Sequence, residues 1–159
     1  ACQKWVSARL LYSTGAYKAA DEAYGELYPI LREKGRFLFE YGHSLHKSLF
    51  YNESNKYLEE ACWYSTDPMI LNIIGKNYQE LHDYEQAENL FQRAIHRLPG
   101  RIYPYYLLAN LYVEPDFYNP DKLKEVAGIV LTKEPKVHST AIKEMRSKVR
   151  KILEKANVE

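Results

Sequence analysis

The chain is expected to be all-α, a solenoid of stacked helical hairpins, and three observations carry that expectation. One residue frame recurs every 33 or 34 positions, small residues occupy fixed places within it, and proline closes two of its units. The clearest instance is Leu71, Ile74, Gly75, Tyr78, Tyr84, Ala87, Phe91, Ala94 and Pro99. A fixed period of this length means repeated two-helix units, each too small to bury its own apolar face, so that stacking creates the core.

Aligning on the small residue of each first helix gives Ala8, Gly42, Gly75 and Ala109. Three positions later stand Leu11, Leu45, Tyr78 and Tyr112, and six further on Tyr17, Tyr51, Tyr84 and Tyr118. The second helices follow with Ala20, Ser54 and Ala87, then Tyr24, Leu58 and Phe91, then Leu27, Ala61 and Ala94. The fourth unit needs a two-residue insertion near Asn119 and Pro120, after which Leu123, Ala127 and Val130 continue its second helix to Pro135. The units are thus 1–34, 35–67, 68–101 and 102–136 of one domain spanning 1–159. A capping helix over about 138–157 carries the apolar stripe Ile142, Met145, Val149, Ile152, Leu153 and Ala156.

The pattern has a physical basis. Antiparallel helices approach closely only where both carry small side chains, which assigns Gly75 and Ala87 to a crossing. Leu71, Tyr78 and Phe91 fill the space between hairpins, and Pro99 and Pro135 stop helices. Most of the fifteen tyrosines are expected as spacers between helices, each hydroxyl reaching a partner or solvent.

Composition narrows the function. Lys+Arg 22 against Asp+Glu 21 gives no basic signature of nucleic-acid binding. Cys2 and Cys62 are too far apart for a metal motif or a disulfide framework, and Cys62 is expected to face the core. There is no apolar run of membrane-spanning length. No Gly-rich phosphate loop or nucleophile elbow occurs, and no cofactor is expected. His43 and His46, one helical turn apart, form the one pair that suggests a ligand site, and no third metal ligand stands near them in sequence. From Lys143 to Lys155 there are six Lys/Arg against two Glu, expected as the basic solvated face of the capping helix; the competing expectation is contact with anionic lipid head groups.

The frame resembles the tetratricopeptide repeat (TPR) family. Residues 68–101 match its Leu-x2-Leu-Gly-x2-Tyr…Ala-x3-Phe-x2-Ala…Pro pattern, with Ile74 at the second Leu. Residues 35–67 match with Ser54 and Thr66 in place of Ala and Pro; in residues 1–34 Lys4 and Trp5 straddle the Trp site and Arg32 replaces Pro. The resemblance implies a right-handed superhelix whose first helices line a concave groove. The groove residues it implies are Trp5, Arg9 and Tyr12; then Arg36, Phe39, His43, His46 and Lys47; then Asn72, Lys76 and Gln79; and Tyr103, Tyr106 and Asn110. That surface is aromatic and mildly basic, suited to a peptide of acidic character. Arg9, Asn72, Lys76 and Asn110 supply part of the carboxylate-binding set of TPR cochaperones, and Phe39 and His43 leave it incomplete.

A narrower resemblance covers the last third. The stretch 101–112, Lys122-Leu-Lys, the stretch 130–137 and the stretch 139–145 are similar to the C-terminal TPR tails of O-antigen ligase/polymerase-like membrane proteins of Bacteroidetes, and Phe37–Gly42 and Asn72–Tyr78 fit the same tails. The resemblance implies a non-catalytic interaction scaffold tethered to the bacterial inner membrane through segments preceding Ala1, on a face it does not specify. None of the membrane part's motifs is present, so it implies no catalytic residue. Two alternatives stay open: a free-standing TPR adaptor or cochaperone, and a domain that binds glycan by aromatic stacking.

Overall fold

The computed structural model describes residues 1–157, and among these every regular element is helical. In chain order the helices are α1 (Cys2–Ser13), α2 (Tyr17–Leu31), α3 (Gly35–Lys47), α4 (Tyr51–Ala61), α5 (Pro68–Glu80), α6 (Tyr84–Arg97), α7 (Tyr103–Tyr112), α8 (Pro120–Thr132) and α9 (Thr140–Lys155), with a 3-10 turn at Pro115–Phe117. Each sequence unit contains two helices, and α9 follows them. The chain divides into two compact units, Ala1–Leu81 and His82–Glu159.

Sequence chemistry sets the helix ends. Asp67, Asp83, Asn119 and Ser139 each accept a backbone N–H of the first turn of α5, α6, α8 and α9, and Pro68 and Pro120 occupy the first turns of α5 and α8, where a missing N–H costs nothing. The turns inside the hairpins share one backbone feature. Gly15, Leu49 and His82 occupy equivalent repeat positions and all adopt positive φ, +86°, +70° and +63°. After α3 this left-handed residue lets Leu49 N–H reach His46 O and Phe50 N–H reach Leu45 O, which satisfies two terminal carbonyls.

The first unit holds α1 to α5. Consecutive helices pack on one another, and α3 also touches α1 and α5. Its core is Ala8, Ala20, Tyr24, Leu27, Phe37, Leu38, Leu58, Ile70 and Leu71, all essentially without solvent contact. Each large apolar side chain contributes about 1.5–3 kcal/mol by leaving water. At Gly42 the close approach is to a large side chain rather than a small one: a Cβ there would lie 2.5 Å from Leu58 Cγ, so glycine lets α3 approach α4 this closely. Tyr17, Tyr51 and Tyr84 open α2, α4 and α6, at the one position the alignment gave them.

The second unit holds α6 to α9. Helix α7 packs on α6 and α8, and α9 packs on α7 and α8. Ala87, Phe91 and Ala94 of α6, Leu108, Ala109, Leu111 and Tyr112 of α7, and Leu123, Ala127 and Val130 of α8 are buried. The insertion takes the form of the 3-10 turn, whose Phe117 stacks against Tyr84 and Tyr112 with ring centroids 5.8 and 6.3 Å apart. Tyr118, aligned with the helix-opening tyrosines, is instead exposed and precedes α8 by two residues, because Phe117 has taken the packing place. In α9 only Val149 is fully buried, and Ile142, Met145, Ile152 and Leu153 are half-covered.

Two local expectations change. Cys62 caps α4 half-buried rather than facing the core. Arg146 is not part of a solvated basic face: its Nε donates to Val130 O at 3.0 Å and its Nη2 to Lys133 O at 2.7 Å, so it caps the C-terminus of α8. Several tyrosine hydroxyls find carboxylates on neighbouring elements: Tyr24 with Glu40, Tyr28 with Glu60, Tyr78 with Glu59, Tyr112 with Glu88, and Tyr84 with Glu114 in the turn after α7.

Candidate functional site

The first helices of the first unit, α1, α3 and α5, carry a continuous row of polar and aromatic side chains. It begins at Glu40 on α3, a carboxylate only 5% exposed. Trp5 Nε1–H and the Tyr24 hydroxyl donate to Glu40 Oε1 at 3.0 and 3.1 Å. Arg9 Nε lies 3.2 Å from both carboxylate oxygens, and Arg36 Nε lies 3.1 Å from Oε2. Four donors surround this buried carboxylate, two of them cations, and together they offset the cost of taking it out of water. Burial first, and the Glu40 charge second, push the Tyr24 hydroxyl well above its ordinary range, and the same two causes push Tyr12 to about 12. Both remain neutral hydroxyls at physiological pH.

One turn along α3 the row continues through histidines. The Tyr12 hydroxyl bonds His43 Nδ1, the His43 and His46 rings stack with centroids 6.0 Å apart, and the Phe39 ring centroid lies 5.8 Å from that of His43. His46 Nδ1 lies 2.6 Å from Asn77 Oδ1 on α5. Asn77 Nδ2 donates to Ser54 Oγ and Asn55 Oδ1, both at 2.8 Å, so its carbonyl oxygen faces His46 and the His46 Nδ1 carries the proton. Burial, reinforced by His46, Lys47 and Lys76, lowers His43 to about 4; burial also lowers His46, with Asn77 opposing and the two lysines assisting. Both rings are therefore neutral near pH 7. Among the described residues no group of three His, Cys, Asp or Glu is placed to hold a metal ion, and the histidine pair is spent on Tyr12 and Asn77 instead.

The residues implied as groove ligands thus differ in situation. Trp5, Arg9 and Arg36 converge on Glu40; Tyr12, Phe39, His43 and His46 form one aromatic cluster. Lys47 is exposed beside them, and Lys76 and Gln79 are half-buried on α5. Asn72 is 4% exposed, and its Oδ1 is buried with no hydrogen-bond partner among the described residues. In the second unit Tyr103 and Tyr106 stack at 6.3 Å, and Asn110 Nδ2 turns back to Tyr106 O within its own helix. Glu40, Asn77 and Asn55 escaped the sequence reading. The signal for Glu40 was one acid inside the apolar run Phe37–Gly42, and for Ser54 its departure from alanine at the small-residue position.

The fold is that of tetratricopeptide-repeat proteins. MamA superposes with a TM-score of 0.71 over 94% of this chain and 91% of its own, at 18% identity. A putative kinesin light chain of Podospora anserina with nearly identical TPR-like repeats gives 0.67 over 98% and 87%, at 14% identity. The type III secretion chaperone SycD of Yersinia enterocolitica, in complex with a peptide of the translocator YopD, gives 0.57 over 96% and 92%, at 15% identity. No protein-family model matches the sequence, and no curated protein matches it significantly.

Proposed function

We propose that this chain is a non-catalytic protein–protein interaction module that holds a peptide segment of acidic character along α1, α3 and α5. The observation that carries this reading is the continuous row of side chains from three successive first helices, with Lys47 and Lys76 beside neutral, stacked histidines. Asn72 supports it, since its buried, unpartnered Oδ1 is an acceptor that a peptide N–H would satisfy. SycD, of the same fold, was crystallised with a peptide. Arg9 is a poor residue for a charge-reversal test, because reversal would place a second acid against Glu40. Lys47→Glu with Lys76→Glu is the cleaner variant. Its affinity for an acetylated, amidated tetraglutamate peptide should fall about tenfold or more by calorimetry, and unchanged affinity overturns the reading.

The finer assignment, to the C-terminal module of an O-antigen ligase/polymerase-like protein at the bacterial inner membrane, rests on the sequence resemblance of 101–112, 130–137 and 139–145. Its test is the reading frame upstream of Ala1. A series of long apolar spans there supports a membrane glycan-assembly parent; a short polar stretch overturns it and leaves the adaptor reading.

A further inference from the structure

We infer that Glu40 is a positioning residue that presents Arg9 and Arg36 as a preassembled receptor for a carboxylate, and that this pair is the anchoring subsite for the acidic peptide. The inference rests on the reading that the partner is a peptide. A guanidinium has five N–H donors, one on Nε and four on the terminal nitrogens. Arg9 and Arg36 both direct Nε to the same Glu40 oxygen, at 3.2 and 3.1 Å, and among the described residues neither makes a hydrogen bond through its terminal nitrogens. Two guanidinium groups on one oxygen are necessarily neighbours, and each retains the pair of donors that engages a carboxylate side by side.

The support behind them is rigid. Glu40 is 5% exposed and also holds the Trp5 indole N–H and the Tyr24 hydroxyl, and Tyr24 itself has no solvent contact. The Arg9 guanidinium lies over the Trp5 ring, 4.9 Å from its centroid, which fixes a second face of that group. The guanidinium groups nevertheless reach water: the Arg9 side chain is 34% exposed and that of Arg36 71%. Long side chains normally lose rotamer freedom on binding; here Glu40 has already restricted them.

Charge selects the ligand. Two arginines and one glutamate leave a net charge of +1. A single carboxylate neutralises it, whereas a phosphate dianion would leave excess negative charge beside a buried acid.

The test is titration of the full chain with the same acetylated, amidated tetraglutamate peptide, followed through the Arg Nε–H NMR resonances. Shifts at Arg9 and Arg36 are expected, and the double variant Arg9→Lys, Arg36→Lys, which keeps every charge but loses both planar forks, should bind about tenfold more weakly or worse. Equal affinity in a variant that melts like the parent overturns the inference. The resonances of the parent protein give an answer even where the variant fails to fold. Shifts confined to His43 and the Lys76 region overturn the subsite while leaving the general peptide reading intact; no shift anywhere overturns both. Tighter binding of inorganic phosphate than of the peptide overturns the assignment to a carboxylate.

Discussion

Ser54 donates its hydroxyl to the carbonyl oxygen of Gly42 at 2.6 Å, tying α4 to α3 at the level where a Cβ on Gly42 would collide with Leu58. The same hydroxyl accepts from Asn77 Nδ2 at 2.8 Å, so one small polar residue joins α3, α4 and α5. Its position is the one where the repeat frame carries alanine, so Ser54→Ala creates almost no cavity and isolates the polar contribution. The substitution should destabilise by about 1–2 kcal/mol, since Asn77 keeps Asn55 as one acceptor. The midpoint of urea unfolding, at unchanged slope, measures it.

Gly42→Ala asks a harder question of the same crossing. The added methyl would sit 2.5 Å from Leu58 Cγ and 2.6 Å from its Cδ2, and 3.3 Å from the Leu58 backbone nitrogen. A rotamer change at Leu58 relieves the first two contacts and not the third. The expected loss is about 1–3 kcal/mol by overpacking. Combining Gly42→Ala with Leu58→Ala should recover part of it, giving a favourable coupling energy in a double-mutant cycle; strict additivity would show that the helices simply move apart.

These contacts show what the sequence made legible. The period placed Ala8, Gly42, Gly75 and Ala109 together, and all four are buried. Tyr17, Tyr51 and Tyr84 open their helices as aligned, because the period registers backbone geometry and packing volume. It does not register which polar group faces which. Arg9 and Arg36 read as groove cations, yet both lean on Glu40: Arg36 does so from one turn away on the same helix, while Arg9 does so across 31 residues, a pairing that no local pattern encodes. Tyr118 failed for a related reason: Phe117, one residue earlier, competed for the same aromatic slot and won it when the insertion became a 3-10 turn.

Leu49 is held at φ +70° and the residue is 68% exposed, so it bears a steric cost without a matching gain from burial. Its counterpart Gly15 adopts +86° without that cost. Leu49→Gly should therefore stabilise the chain by up to about 1 kcal/mol. The melting temperature would rise by roughly 2–4 °C. A decrease would mean that Leu49 makes an apolar contact worth more than the backbone strain.

The histidine stack predicts a pH dependence with a definite sign. His43 falls from 6.5 to about 4 and His46 also falls, so over that interval the unfolded chain binds protons that the folded chain refuses. Stability contributed by the neutral rings is complete above about 6.5 and is lost as pH falls toward about 4, below which no further loss comes from His43. The melting temperature should drop between pH 7 and pH 4.5, and the drop should shrink in His43→Phe, which keeps an aromatic ring in the stack. An identical pH profile in that variant would assign the loss to carboxylates.

Arg146 gives the last prediction, because it shows how a basic helix is held on the fold. Its Nε and Nη2 satisfy Val130 O and Lys133 O, carbonyls at the end of α8 that would otherwise lack intrahelical partners. Only a planar fork reaches both acceptors, so Arg146→Lys retains the charge and loses at least one bond. Val149 is the one fully buried residue of α9, and the other apolar side chains of its stripe are only half-covered. Arg146→Lys should cost about 1 kcal/mol, and Arg146→Ala about 1–3 kcal/mol. The cost should appear as faster amide hydrogen exchange in α9 and the last turn of α8, with α6 and α7 unchanged, since a weakly fastened terminal element opens on its own before the unit unfolds. Uniform acceleration across α6 to α9 would instead make α9 an integral part of the second unit's cooperative core.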